Sequence, residues 1–261
     1  MIFDEKKIRI LSPGAIAAGW MPGEPRPKRE TGLSYEEFKD PDTEVVYRDQ
    51  PDAMGPHVEQ SFERDLAAIP YARAAYEADQ EGSFDAVMIG CFEEPGMQAA
   101  RELCDILVMS APCATLHVAS MLGNKFSIIF CGRGHSEATM LEVVKRYGLE
   151  SRLASIRTLG FPPTGFNKKL LSEEEFQKMN EVALAEAKKA IEEDGADVII
   201  AYSGSYDYLK KHLDVPVLSQ SICTLKITEA LVRMGLTHSK KAYPKPRIAH
   251  TYYITTKPPC E

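Results

Sequence analysis

The chain has 261 residues, 44% hydrophobic and 26% charged, with a formal net charge of −7. Such a length accommodates one large domain or two lobes of roughly 130 residues each, and the acidity argues against nucleic acid as a partner. No apolar run approaches the roughly 18 residues of a membrane span, the first residues lack a signal peptide's apolar core, and the expected compartment is cytoplasmic. The six cysteines form no C-x-x-C pair and the six histidines no H-x-x-x-H pair. Neither a disulfide framework nor a metal site is expected, and no glycine pattern asks for a phosphate-bearing cofactor.

In chain order, residues 7–12 read as a first strand that breaks at Ser12-Pro13-Gly14. Residues 20–43 are rich in proline, glycine and charge, and read as a surface excursion, either a lid, an oligomer contact or a decoration. Residues 44–48 make a second strand. Residues 58–80 have helical periodicity, with Phe62, Leu66, Ile69, Ala72 and Tyr76 among the apolar positions, and Pro70 predicts a kink or two shorter helices.

The stretch 84–96, Phe-Asp-Ala-Val-Met-Ile-Gly-Cys-Phe-Glu-Glu-Pro-Gly, carries the most information. Its apolar run suits a parallel strand covered on both faces. Pro95 suits a helix's first turn, with Glu93 and Glu94 at its positive end. Cys91 then falls at the carboxyl end of a strand, where open parallel sheets place their chemistry, and a helix N-terminus there would lower its thiol pKa. The bland reading is a buried small side chain.

The same rhythm continues with a strand at 106–109, a helix at 114–122 stopped by Gly123, and a strand at 126–130. A turn containing Cys131, Arg133 and His135 leads to a helix at 137–146. Another strand is expected at 152–158 and a Pro/Gly loop at 160–167. The long helix at 172–194 begins with Ser172 and Glu175 at capping-box spacing. Then come a strand at 198–201, a helix at 206–212, a strand at 215–218 and a helix at 223–234. His117 is expected to pack within its helix. The tail, with Thr251-Tyr-Tyr-Ile-Thr, reads as an edge strand or an arm across a partner subunit.

Alternating strands and helices imply an α/β fold with parallel sheets. The halves also match each other. Asp105, Ser110, Thr115 and Leu116 coincide with Asp214, Ser219, Thr224 and Leu225 at an offset of 109, and 86–91 resembles 197–202 at an offset of 111. A duplicated pair of facing lobes would set the loop after Gly90 opposite the loop after Ala201.

The chain resembles the aspartate/glutamate/hydantoin racemase superfamily, most closely its hydantoin-racemase-like branch. The residues that carry the resemblance are Ile89-Gly-Cys-Phe-Glu-Glu-Pro-Gly-Met-Gln-Ala-Ala-Arg-Glu-Leu103, His117-Val-Ala-Ser-Met-Leu-Gly123, Phe126-Ser-Ile-Ile129, Arg146-Tyr-Gly-Leu149, Glu193-Asp-Gly-Ala-Asp-Val198 and Ala230-Leu-Val-Arg-Met-Gly-Leu236. The resemblance implies two flavodoxin-like lobes related by a pseudo-twofold axis, with the active site between them. Lobe one would comprise residues 1–112 plus 220–261, and lobe two residues 113–219. It also implies cofactor-independent racemisation of a small substrate by two cysteines, one per lobe, in a homo-oligomer. Cys91 matches the first cysteine and is expected to act as thiolate base or nucleophile. At the second position this chain has Ala201-Tyr-Ser-Gly204, so Tyr202 stands where the family has cysteine, or Ser203 if the register slips by one. Cys223 comes too late in the chain to match. Ser12, Phe92, Cys131, Ser203 and Gly204 are the expected substrate contacts, with the amides near Phe92 and Gly204 available to an oxyanion. A single-cysteine decarboxylase, a hydrolytic or lyase variant, and a non-catalytic ligand-binding protein are the alternatives.

Overall fold

The computed structural model describes residues 7–14, 35–50, 58, 60–132, 136–161, 172–201 and 204–246. Two four-stranded parallel sheets organise them. The first contains β1 (Ile8–Gly14), β2 (Thr43–Asp49), β3 (Ala86–Ile89) and β4 (Leu107–Ser110) in the order β2-β1-β3-β4. The second contains β5 (Phe126–Phe130), β6 (Leu153–Thr158), β7 (Val198–Ala201) and β8 (Val217–Ser219) in the order β6-β5-β7-β8. The orders are equivalent strand for strand. The helices follow suit: α1 (Ser61–Glu81), α2 (Met97–Leu103) and α3 (Ala111–Leu122) correspond to α5 (Glu173–Glu192), α6 (Tyr206–His212) and α7 (Gln220–Arg233). The remaining helix, α4 (Ser136–Arg146), follows β5. The fold is therefore two flavodoxin-like α/β lobes in a repeated arrangement.

Burial explains the layering. β3 and β7 are buried along their whole length, as their apolar runs require. Alternation sends Ala86 and Met88 inward with Val198 and Ile200, into a core shared by both sheets with Leu116 of α3, Val143 of α4 and Leu225 of α7. Val87 and Ile89 face outward onto Tyr71, Ala74, Ala75 and Ala78 of α1 and onto α2. Ile199 and Ala201 face α5 and α6 through Met179, Ala183, Ala187 and Leu209. Each fully buried large side chain, Met88 or Phe126 for example, contributes about 1.5–3 kcal/mol relative to exposure.

The repeat also has a hydrogen-bonded signature. Asp85, just before β3, accepts from the Arg9 amide at 2.9 Å, and its own amide donates to the Arg9 carbonyl at 2.8 Å. Asp197, just before β7, treats Lys125 in the same way, at 2.9 Å in both directions, and accepts from Asn124 as well. Ile89 pairs with Ser110, and Ala201 with Ser219, and both serines cap the helix that follows. These anchors equate Asp85 with Asp197 and Ile89 with Ala201, one residue away from the sequence match at an offset of 111.

Three expectations change. β1 does not break at Ser12 but continues through Gly14, paired with β2 to Asp49. One helix, α1, runs through Pro70 without dividing. Proline supplies no N–H to the Leu66 carbonyl, but the buried flank of Ala67, Tyr71, Ala74 and Ala75 holds both turns against the sheet. Phe62 and Ile69 are 70% and 62% exposed, so the packed face of α1 is the alanine-rich one. Part of the expected excursion is fastened down. A 3-10 turn at Tyr35–Glu37 stacks Tyr35 on Tyr47, and Asp40 and Asp42 pair with Lys226 and Arg233 of α7. Residues 20–34, 133–135 and the tail beyond 246 lie outside the described residues.

Gly96 joins the turn after β3 to α2. Its φ of 68° is left-handed, and a Cβ there would meet the Ala68 carbonyl oxygen of α1 at 2.2 Å. Gly96→Ala is expected to cost about 2 kcal/mol or more from backbone strain and displacement of α1, lowering the melting temperature by roughly 4–8 °C in a thermal scan.

Candidate active site

Cys91 follows β3 after a single glycine, at the carboxyl edge of the first sheet. Its surroundings differ from the expected helix start. Glu94 has a φ of 55°, and no other non-glycine among the described residues has a positive φ. With Gly96 it curls the chain into a tight loop, in which the Glu94 amide donates to the Cys91 carbonyl at 3.2 Å. The helix begins only at Met97, so Pro95 precedes it. Glu93 and Glu94 are drawn inward, each 3% exposed.

The second lobe receives them. Glu94 accepts from Arg146 Nη1 at 2.7 Å and from the Tyr147 hydroxyl of that lobe, and from the Ser110 hydroxyl at the end of β4 in its own, the two hydroxyls in short hydrogen bonds. Glu93 accepts from Thr139 Oγ1 of α4 at 2.7 Å, and burial pushes its carboxyl pKa up. Burial, reinforced by the Glu94 carboxylate, also pushes the Tyr147 phenol up. The loop bearing Cys91 is thus fastened across the lobe boundary through charge-assisted hydrogen bonds.

This environment reverses the expected effect on the thiol. Cys91 keeps part of its surface exposed, yet desolvation pushes its pKa up to about 12 from an ordinary value of 9.0. The nearby carboxylates of Glu93 and Glu94 act in the same direction. The amides of the same two residues hydrogen-bond the sulfur and oppose the shift without overcoming it. α2 is only seven residues long and starts six positions downstream, too far for its N-terminus to compensate.

Phe92 turns into the shared core and lines a small pocket of about 10 Å³, room for about one water molecule, with Ile128, Phe130, Met140, Ile200, Ala201 and Gln220, among others. Both lobes therefore contribute to a pocket wall immediately beside Cys91 in the chain. The Tyr35 hydroxyl lies within 3.3 Å of where a Gly90 side chain would begin. Ser12 is buried inside β1 opposite Tyr47 and is not part of the pocket lining. Cys131 packs on the far side of the second sheet with Leu159 and Met179. Cys223 lies in α7 within the central core, its thiol raised to about 11 by burial. Gly204 is half-buried ahead of α6, while Tyr202 and Ser203 lie outside the described residues. Counting from the strand ends, Cys91 is two residues past Ile89 and Ser203 is two past Ala201. Among the described residues no three His, Cys, Asp or Glu side chains gather to hold a metal ion, and no helix is long and apolar enough to cross a membrane.

Sequence reasoning missed Glu94, Arg146 and Tyr147 as the anchor of the Cys91 loop. A glutamate before Pro-Gly marks a turn, but nothing local shows which distant donors satisfy it. Tyr147→Phe removes one donor from a buried carboxylate and is expected to cost about 1.5–3 kcal/mol, measured as a lower urea midpoint at unchanged m-value.

Comparison with known proteins agrees with this architecture. The Asp/Glu/Hydantoin racemase family profile matches residues 35–234. A hydantoin racemase from Pseudomonas sp. (strain NS671) is 32% identical over 199 residues, covering 74% of this chain and 77% of the relative. One from Paenarthrobacter aurescens is 32% identical over 203 residues, covering 74% and 82%. The crystal structure of an allantoin racemase from Pseudomonas fluorescens superposes with a TM-score of 0.76 at 26% identity, covering 92% of this chain and 98% of that one. Glutamate racemase from Francisella tularensis, at 16% identity and a TM-score of 0.55, shares the fold. The chain belongs to the Asp/Glu/hydantoin racemase family, and the protein is an enzyme of that superfamily.

Proposed function

We propose that the enzyme acts on a small hydantoin- or amino-acid-like substrate, moving the proton at the carbon next to a carbonyl, with Cys91 as the proton carrier on one face. The observation that carries this reading is the position of Cys91 at a strand's carboxyl edge, directly before a residue lining the inter-lobe pocket. The sequence likeness to hydantoin racemases and the structural likeness to an allantoin racemase support the substrate class. The chemistry calls on no cofactor.

With a pKa near 12 the free enzyme holds Cys91 as a thiol at neutral pH. A neutral thiol is ready to protonate an enolate, and deprotonating it needs either substrate binding or higher pH. The opposite face of the substrate then needs its own proton acceptor. The strand-end count makes Ser203 the counterpart of Cys91, with Tyr202 beside it. Neither is a strong base unperturbed, tyrosine having a pKa of about 10, so the reaction depends on acidification of the carbon by its own ring carbonyls and by amide donors around the loop. The assignment of α7 to the first lobe belongs to this proposal, since α7 packs against β3 and β4 as well as β8.

One observation favours a second reading. A neutral thiol with no cysteine at the counterpart position suits a single protonation after loss of carbon dioxide. Incubating the full-length enzyme in D₂O with single enantiomers of 5-substituted hydantoins, allantoin, amino acids and arylmalonates separates the readings. Racemisation puts deuterium at the stereogenic carbon of the recovered substrate and erases its optical rotation. Decarboxylation gives a shortened, singly deuterated product of one hand. A folded enzyme inert to all four classes would sink the proposal.

Cys91→Ser is expected to lower turnover by about 10²–10⁴-fold while the melting temperature stays near the wild-type value. Ser203→Cys is expected to speed deuterium exchange, because it sets a thiol on the opposite face. Tyr202→Cys serves as the off-register control, and a larger gain from it than from Ser203→Cys would reverse the assignment.

A further inference from the structure

A second cysteine has the setting of a reactive thiol. Cys113 occupies the first turn of α3, where its amide donates to the capping Ser110 Oγ at 3.3 Å. Arg101 of α2 points at it, with Nη2 3.6 Å from the sulfur. One turn further along α3, the His117 imidazole sits beside Cys113, with its Nδ1 2.6 Å from the Cys113 carbonyl oxygen. Cys113 is half-buried, and His117 beside it is exposed, so solvent reaches the pair.

Arg101 makes the arrangement unusual. Its guanidinium is 4% exposed, yet among the described residues no carboxylate lies within ion-pair distance of it. Its other hydrogen bonds go to the Val108 carbonyl at 3.2 Å and the Tyr243 hydroxyl at 3.0 Å. A buried cation is costly without an anion. The Cys113 sulfur is the contacting group that becomes anionic most readily, since phenols ionise near pH 10.

We propose that Cys113 is a second reactive site, a thiolate beside the Arg101 guanidinium with His117 one turn along the helix, that takes hydroperoxides and is oxidised to a sulfenate. In that step the thiolate attacks one peroxide oxygen. An S–O bond forms as the O–O bond breaks. Sulfur loses two electrons, and the departing oxygen gains them and leaves as water or alcohol with the imidazolium proton of His117. The sulfenic acid so formed then gives its proton to the now neutral His117 imidazole, leaving a sulfenate whose charge is paired with Arg101.

The other neighbours fit an anion here. Tyr147, beyond α4, donates its proton to Glu94, which is already held by Arg146 and Ser110. His238, in the C-terminal segment, is driven down to about 4 by burial and by Arg101, so it is neutral. The thiol of Cys113 is drawn below its ordinary value, against the opposing effect of burial, by His117 and Arg101. The His117 imidazole is raised, chiefly by the neighbouring Cys113 side chain. Burial instead pushes Cys104 up to about 12 and Cys223 to about 11.

The test treats the full-length enzyme with hydrogen peroxide and dimedone, and separately with iodoacetamide across a pH series, reading each cysteine by peptide mass spectrometry. Near pH 6 Cys113 is expected to label about tenfold faster than Cys104 or Cys223, and its rate should persist to lower pH than that of a free thiol. His117→Asn, at an exposed position, is expected to slow peroxide labelling several-fold and move the alkylation profile to higher pH. Circular dichroism checks that this variant is folded, and the wild-type pH series stands without it. Labelling of Cys113 no faster than of Cys104 and Cys223, or an unchanged profile in folded His117→Asn, overturns the proposal.

Discussion

The burial of Glu94 constrains the active-site edge more than any other interaction. A carboxylate removed from water needs donors on both oxygens, and its own loop provides none. Ser110 comes from the end of β4, and Arg146 and Tyr147 come from the other lobe. Removing one donor from such a buried carboxylate typically costs about 1.5–3 kcal/mol, because the oxygen it served is left stranded. The loop carrying Cys91 therefore holds its shape only while the lobes remain docked. The left-handed backbone at Glu94 is tolerated for the same reason, since three donors outweigh a strain of about 1–3 kcal/mol.

The same interaction marks where the two halves diverge. Strand order, the aspartate clamps at Asp85 and Asp197, and the serine caps at Ser110 and Ser219 are repeated. Between β3 and α2, however, lie seven residues, 90–96, whereas only four, 202–205, separate β7 from α6. The longer loop has room for Glu93 and Glu94 to reach α4 and the residues after it. A duplicated scaffold thus bears two loops of unequal length at equivalent strand ends, and the longer one is tied to the opposite lobe.

Much of this was legible in the sequence, because short apolar runs and periodic helices are local signals. β5, β7 and α6 begin and end where pattern and punctuation place them, and the capping box at Ser172 and Glu175 forms as spaced. What was not legible depended on distant partners. Glu-Glu-Pro reads as a helix start, and only Arg146 and Tyr147, some fifty residues away, pull it into a turn. The match at an offset of 111 was one residue out, because Asp197 resembles a strand residue by position but acts as a clamp ahead of the strand. Cys113 and His117 stood four apart on one helix, yet the buried cation that gives that spacing its meaning is on α2.

Burial and carboxylates around Cys91 make its thiolate expensive, which bears on the direction of the proposed chemistry. In a symmetric two-thiol site either cysteine can start as the base, and the enzyme treats both enantiomers alike. Here the first-lobe group rests protonated, and the counterpart position holds a hydroxyl. In the proposed reaction Cys91 then serves as the proton donor, and the proton leaving the other face needs an acceptor that is already ionised, since a neutral hydroxyl is no base. The reverse reaction must begin from a thiolate that the loop disfavours. Equilibrium between enantiomers cannot change, so the asymmetry has to be carried by the protonation state in which the enzyme is left after each turnover. In the proposed cycle, proton return from solvent to Cys91 is then a kinetic step in its own right.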